Sequence, residues 1–223
     1  MIKRELYMNR IRPFIGGELI KVMTGIRRSG KSVMLELIKE ELAEAGVAPS
    51  QMISINFEDM RYSHLQTATA LHDEIIKRAE GIEGKAYLFF DEIQEVEGWE
   101  KCVNSLRVAL DCDIYITGSN AKLLSGELAT YIGGRYVEFV IYPFSFAEFL
   151  ELYHTIAPSD SIQQCFQKYL LAGGMPYLAN LRYEEEPSRQ YLTDLFNSVQ
   201  LKDIVKRNKI RAVSYTHLTL PTK

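Results

Sequence analysis

The chain has 223 residues, of which 47% are hydrophobic and 25% are charged, and this length suffices for one α/β domain plus a smaller appendage. Its formal net charge of -3 excludes a global basic field, so that a nucleic acid would have to bind to a local patch. The charged amino-terminal segment and the short apolar runs argue against a signal peptide and a membrane span, and we expect a cytoplasmic protein.

Apolar, β-branched segments alternate with segments of helical period along the first part of the chain. They predict strands over 19–24, 52–57, 86–91, 113–118 and 136–142, and helices over 32–46, 68–80 and 99–110. In the first helix Met34, Ile38 and Leu42 share one face, whereas three glutamates fall elsewhere. The alternation is typical of a three-layer α/β fold with a five-stranded, mostly parallel sheet between helices.

Helical segments follow the last predicted strand. They are predicted over 146–156, 161–172 and 186–207, and AGGMP at 172–176 interrupts them. We therefore predict a sheet domain over residues 1–150 and a small helical, lid-like subdomain over residues 151–212. The last ten residues, SYTHLTLPTK, resemble translated sequencing adapter, so that 213–223 is expected to be a non-native tail. The alternative for this tail is a genuine carboxyl-terminal strand.

The segment GIRRSGKS at 25–32 lies between the first predicted strand and the first long helix. It fits the pattern G-x-x-x-x-G-K-[ST], in which backbone N–H groups surround a phosphate at a helix amino terminus. Lys31 is expected to bridge the β- and γ-phosphates, and the Ser32 hydroxyl to bind Mg2+. Arg27 and Arg28 either contact the phosphates or are solvated surface side chains. The predicted nucleotide contacts are Gly25, Ile26, Arg27, Arg28, Ser29, Gly30, Lys31 and Ser32.

Two carboxylates follow the third predicted strand, in AYLFFDEIQ. The carboxyl edge of a parallel sheet is where such folds bind ligands, so both side chains are expected near the phosphate loop. The Asp91 carboxylate is expected to help bind Mg2+, and Glu92 is placed to polarise a water for attack on the γ-phosphate. A solvated acidic pair is the alternative.

Polar residues also follow the fourth strand, in TGSN, and an arginine precedes the fifth. Asn120, or in second place Ser119, is a candidate for a hydrogen bond to the γ-phosphate or the attacking water; a polar turn that caps a helix is the alternative. Arg135 is a candidate for stabilising the transition state, and reaching a neighbour's nucleotide would require a homo-oligomer. A surface salt bridge is the other role open to Arg135.

The order of these segments resembles the AAA-like P-loop ATPases of bacteria and archaea in which the ATPase domain precedes a carboxyl-terminal domain of unknown function. The matching segments are TGIRRSGKS, INFED, LFFDEIQ, ITGSN, GGRYVEFVIYPFSFAEFL, YLLAGGMPYL and LKDIVKRNKIR. The resemblance implies binding and hydrolysis of Mg-ATP, with Mg2+ at Ser32 and Asp91, catalysis by Glu92, and Asn120 as the first sensor. No residue matches the second sensor arginine of classical AAA lids.

The function expected from these features is Mg-dependent ATP hydrolysis that acts as a conformational switch or motor. The absence of an NKxD segment after a strand favours adenine over guanine. If the adapter-like tail marks a cut before the family's carboxyl-terminal domain, a protein or DNA partner is expected to bind through that absent domain. Two alternatives are open: a small-molecule phosphotransferase, and a nucleotide-dependent protein or DNA interaction module with negligible turnover. The contact surface of such a module would be the basic set Lys202, Lys206, Arg207, Lys209 and Arg211.

Overall fold

The computed structural model describes residues 2–118 and 132–199. This part of the chain contains the strands β1 (Ile20–Thr24), β2 (Met52–Asn56), β3 (Ala86–Asp91), β4 (Cys112–Thr117) and β5 (Tyr136–Val140). The five strands are parallel and form one sheet in the order β2-β3-β4-β1-β5. Strand β4 thus lies between β1, which precedes the phosphate loop, and β3, which precedes the acidic pair.

Helices cover both faces of the sheet and make the predicted three layers. They are α1 (Glu5–Ile11), α2 (Lys31–Glu44), α3 (Ala68–Ala79) and α4 (Trp99–Ala109). Because successive residues of a strand point to opposite faces, Val22 packs in the core with α3 and α4, and Met23 in the core with α1 and α2. The short helix α1 was not predicted from the sequence. It packs through Tyr7, Met8 and Ile11, which are all buried.

Up to residue 199, where the described part of the chain ends, three helices follow the sheet and form a separate hydrophobic core. They are α5 (Phe146–Tyr153), α6 (Ile162–Ala172) and α7 (Glu185–Val199). In this core the rings of Phe149 and Tyr153 stack on each other, and the ring of Tyr183 packs edge-on against both. The domain boundary at residue 150 stays a prediction. Within the described ranges no helix combines the length and apolar character needed to cross a bilayer.

The segments YPFSF and GGMP meet where the sheet passes into the helical part. The backbone N–H of Phe144 donates to the Gly174 carbonyl at 2.7 Å, and the Phe144 carbonyl accepts from the Tyr169 hydroxyl at 2.9 Å. A Cβ added to Gly174 would lie 2.1 Å from the Phe144 carbonyl oxygen. Glycine at 174 is therefore required by the close approach of two backbone segments.

Gly174→Ala is expected to lower the free energy of unfolding by about 3 kcal/mol, since the obstacle is backbone that cannot rotate away. Urea denaturation followed by circular dichroism measures this change. The control is Gly46→Ala, just after α2, where a Cβ would meet nothing within 4 Å and the positive φ of 92° opposes a side chain. We expect a loss of about 1 kcal/mol there. An equal loss in the two variants would contradict the close-contact argument.

Candidate functional site

A cleft of about 620 Å³ opens at the carboxyl edge of the sheet, between the phosphate loop and the helical part. Six of the predicted site residues line it together: five from the loop and the start of α2, and Glu92 from the end of β3. The other lining residues come from α2, from the segment after β2 and from the helical part. The complete lining is Arg27, Arg28, Gly30, Lys31, Ser32, Val33, Glu58, Glu92, Pro176, Tyr177, Asn180, Leu195 and Ser198.

The phosphate loop has the backbone conformation that its glycines permit. Gly25 has φ 146° and Gly30, the residue before α2, has φ 100°. A Cβ on Gly25 would lie 2.2 Å from the Ile141 carbonyl oxygen, so that the loop packs directly on the backbone after β5. The amino terminus of a 14-residue helix thus opens into the cleft with the unpaired N–H groups that bind anions.

Lys31 lies at the bottom of the cleft with only 4% of its surface exposed. Its ammonium donates to the carbonyls of Gly25 at 3.4 Å and Ile26 at 3.2 Å, and it lies 4.0 Å from Glu92 Oε1. Burial lowers the pKa of Lys31, while the carboxylates of Glu92 and Asp91 act in the opposite direction. The arrangement places one buried cation at the loop, facing the carboxylate expected to act on water.

Asp91 is held behind this cation by two neighbouring strands. The Thr117 hydroxyl donates to Asp91 Oδ1, and the Asn56 amide donates to Oδ2 at 3.2 Å. The side chain is buried, with 7% exposure. Asn56 pairs with Asp91 in the register of β2 and β3, so the strand order itself brings these groups together. Thr117 belongs to the polar strand end that the sequence indicated, although Asn120 was preferred there.

Glu92 has a left-handed backbone conformation, with φ 56°, which is uncommon for a residue with a side chain. Its N–H donates to Thr117 Oγ1 at 3.0 Å, and the Gln94 side-chain amide donates to its Oε2. Strain of this kind costs about 1–3 kcal/mol and persists where the surroundings fix the residue. The carboxylate is therefore oriented toward the cleft by both backbone and side-chain contacts.

The residues present fit a phosphate ligand with Mg2+. The Arg27 Nε, buried in the cleft wall, has no hydrogen-bond partner among the described residues, which suits an anion. Ser32 and Asp91 offer the oxygen ligands that Mg2+ prefers. No group of three or more His, Cys, Asp or Glu side chains that could hold a metal occurs in residues 2–118 and 132–199.

Arg135 lies at the opposite edge of the sheet from this cleft. It directly precedes β5, its carbonyl accepts from the N–H of Ile20 at the start of β1, and its exposed side chain donates to Asn104 at 2.7 Å. A role for Arg135 in its own site therefore has no geometric support, and a role in a neighbour's site stays a prediction. Asn120, Ser119 and the basic set after residue 200 lie outside the described residues.

Several cleft residues were not assigned a role from the sequence. Glu58 occurs in INFED, and Tyr177 follows GGMP, so both lie in or beside segments that carried the family resemblance. Asn180 and Leu195 come from the helical part and reach the cleft only through its packing over the loop. The family segments were the only signal for the first two, and no local pattern marks the others.

The fold and the cleft together define a P-loop NTPase. The model of the AAA domain family matches residues 18–150, and the chain belongs to this family. The structure of AMPPCP-bound DnaA from Aquifex aeolicus has a similar fold, with a TM-score of 0.52 and 14% identity over 93% of this chain and 66% of that one. At this identity the likeness concerns the fold alone, and it agrees with the three-layer architecture predicted.

Two curated relatives match most of the chain. An uncharacterized protein of Haemophilus influenzae is 41% identical over 212 residues, which are 95% of this chain and 52% of the relative. An uncharacterized protein of Methanocaldococcus jannaschii is 34% identical over 203 residues, which are 87% of this chain and 44% of the relative. The chain thus spans about half the length of these curated relatives.

Proposed function

We propose that the chain binds Mg-ATP in the cleft between the phosphate loop and the helical part and hydrolyses it, and that hydrolysis serves as a conformational switch or motor. The proposal rests on one observation: at the amino terminus of α2, the Lys31 ammonium lies 4.0 Å from the Glu92 carboxylate. A cation for phosphate oxygens and a base for water are the two groups that hydrolysis of a phosphoanhydride needs.

Each residue has a distinct task in this proposal. The N–H groups at the start of α2 bind phosphate oxygens, and Lys31 exchanges its two loop carbonyls for oxygens of the β- and γ-phosphates. Ser32 and Asp91 would hold Mg2+, which supplies charge neutralisation on the phosphates when bound. Glu92 accepts a hydrogen bond from the attacking water and polarises it. Thr117 and Gln94 keep Glu92 in place.

The proposed switch follows from the composition of the cleft. Its far wall includes Tyr177, Asn180 and Leu195, which belong to the helical part with its own core. A nucleotide in the cleft would touch both this wall and the phosphate loop, so loss of the γ-phosphate would change what holds the two parts together. Differential contact of this kind is the source of a ligand-driven conformational change.

Lys31→Met is expected to weaken Mg-ATP binding by about 10- to 100-fold, since it removes a charged hydrogen-bond donor and keeps the apolar stem. Isothermal titration calorimetry with Mg-ATP, and with Mg-GTP as the comparison for base preference, measures the affinities. The matched control is Lys39→Met on the same helix, whose ammonium pairs with Glu36 at 2.7 Å and does not line the cleft. Absence of Mg-ATP binding by the wild type would refute the proposed function.

A further inference from the structure

The guanidinium of Arg4 lies buried at the junction of the phosphate loop, the segment after β5 and the helical part. Its Nη1 donates to the Ser29 carbonyl at 3.0 Å, and its Nη2 donates to the Tyr142 carbonyl at 2.8 Å. Its Nε donates to Glu148 Oε1 at 2.7 Å, on the first turn of α5. Only 2% of the residue is exposed. One side chain thus connects three segments that are distant in the sequence.

The contact with Ser29 affects the orientation of the phosphate loop. In a trans peptide the carbonyl and the following N–H point in opposite directions. Because the Ser29 carbonyl points to Arg4, the N–H of Gly30 points away from Arg4, and Gly30 lines the cleft. A Cβ on Gly30 would lie 3.4 Å from Arg4 Nη1, so the guanidinium supports the loop directly from behind.

Arg4 is itself fixed by groups on the helical side. Glu148 also accepts from the N–H of Ser145 at 2.8 Å, within the capping box that starts α5. Desolvation opposes ionisation of Glu148, but its bonds with Arg4 and Ser145 prevail and lower its pKa. The rings of Tyr7 and Phe144 lie 4.6 Å and 5.2 Å from the guanidinium carbon. Breaking a charged pair that is removed from water in this way leaves a buried charge without its partner.

The backbone at Arg4 is strained as well. Its φ of 46° and ψ of 48° are left-handed, directly before α1. An arginine is an unusual residue for this conformation, and the conformation persists only where surrounding contacts fix it. The strain is consistent with a side chain that is held at this junction by its bonds.

We propose that Arg4 is a positioning residue for the nucleotide site: through Ser29 it keeps the phosphate loop in its anion-binding conformation, and through Glu148 it makes that conformation depend on the placement of α5. This inference rests on the proposed function of the cleft. Arg4 acts on the ligand through the loop, since its hydrogen bonds go to Ser29, Tyr142 and Glu148.

The test is Mg-ATP affinity, measured by isothermal titration calorimetry on the whole chain at a temperature where each variant is folded by circular dichroism. Arg4→Met is expected to weaken binding by about 10- to 100-fold, because the charged hydrogen bond to the loop is lost. Arg4→Lys retains a charge without the planar fork, and we expect an intermediate affinity. The control is Arg12→Met, whose side chain pairs with Glu5 and Glu41 at a half-exposed site away from the loop.

The link to α5 is tested by Glu148→Gln, alone and combined with Arg4→Met. Glu148→Gln is expected to weaken Mg-ATP binding less than Arg4→Met does, and the double variant to bind no more weakly than Arg4→Met alone, since the two residues act through one contact. Additive effects would overturn the dependence on α5. Wild-type affinity in folded Arg4→Met or Arg4→Lys, with normal binding by the wild type, would overturn the positioning role and leave the proposed function intact. Absence of binding by the wild type would overturn both.

Discussion

Glu92→Gln is expected to lower the rate of steady-state Mg-ATP hydrolysis by about 100- to 10,000-fold, with Mg-ATP affinity nearly unchanged. Glutamine has nearly the same shape as glutamate, and the backbone N–H of residue 92 can still donate to the Thr117 hydroxyl. A neutral amide cannot polarise the attacking water as a carboxylate does. The measurement is phosphate release at saturating Mg-ATP, with affinity measured in parallel by calorimetry.

Two controls make this result specific. Glu97→Gln changes an exposed carboxylate five residues further along, outside the cleft lining, and is expected to leave the rate unchanged. Glu58→Gln removes the other carboxylate that lines the cleft. If Glu58→Gln abolished turnover and Glu92→Gln did not, the assignment of the base would be wrong. If the wild type and Glu92→Gln both bound Mg-ATP without turnover, a nucleotide-dependent interaction module would be the better account.

Lys21→Met is expected to lower the free energy of unfolding by about 3–5 kcal/mol, because it removes one partner of a fully buried ion pair. The side chains of Lys21 and Asp113 are both 0% exposed, at the amino edge of the sheet. Asp113 would keep only neutral donors, the N–H of Gly16 at 2.6 Å and the Tyr115 hydroxyl at 2.7 Å. Urea denaturation measures the loss.

The chain offers a matched exposed pair for comparison. Lys85 and Asp111 form an ion pair with side chains 28% and 67% exposed. Lys85→Met is expected to cost less than about 1 kcal/mol, because solvent screens the exposed pair. A loss for Lys21→Met no larger than that for Lys85→Met would show that the buried pair is energetically neutral in this fold.

The strands and the phosphate loop could be predicted because their signals are local. Each predicted strand overlaps an observed one and ends within about two residues of it, as is usual for pattern-based boundaries. Helix α1 was missed because seven residues carry too little periodicity, and its burial depends on contact with α2 across the sequence. The position of Arg135 was available from the sequence: a residue that precedes a parallel strand lies at the edge away from the loop.

The residues that form the far wall of the cleft could not be predicted from the sequence, because their position depends on contacts between distant segments. Tyr177 and Asn180 reach the cleft because the helical part packs over a loop some 150 residues earlier in the chain. Arg4 contacts Glu148 across a separation of 144 residues, and neither residue lies in a motif whose chemistry is known. Contacts of this range depend on how whole elements pack, which local periodicity does not encode.

The strand order has a consequence for how the molecule folds. The strand that carries the phosphate loop, β1, comes first in the chain but pairs with β4 and β5, which are synthesised last among the strands. Pairings of such long sequence separation form slowly, since the entropy of loop closure must be overcome before any contact compensates for it. Gly25 meets the backbone of Ile141 only after β5 has docked. The complete packing of the phosphate loop therefore requires β5 to be in place, so that a nascent chain whose β5 is still in the ribosome lacks the contact of Gly25 with Ile141.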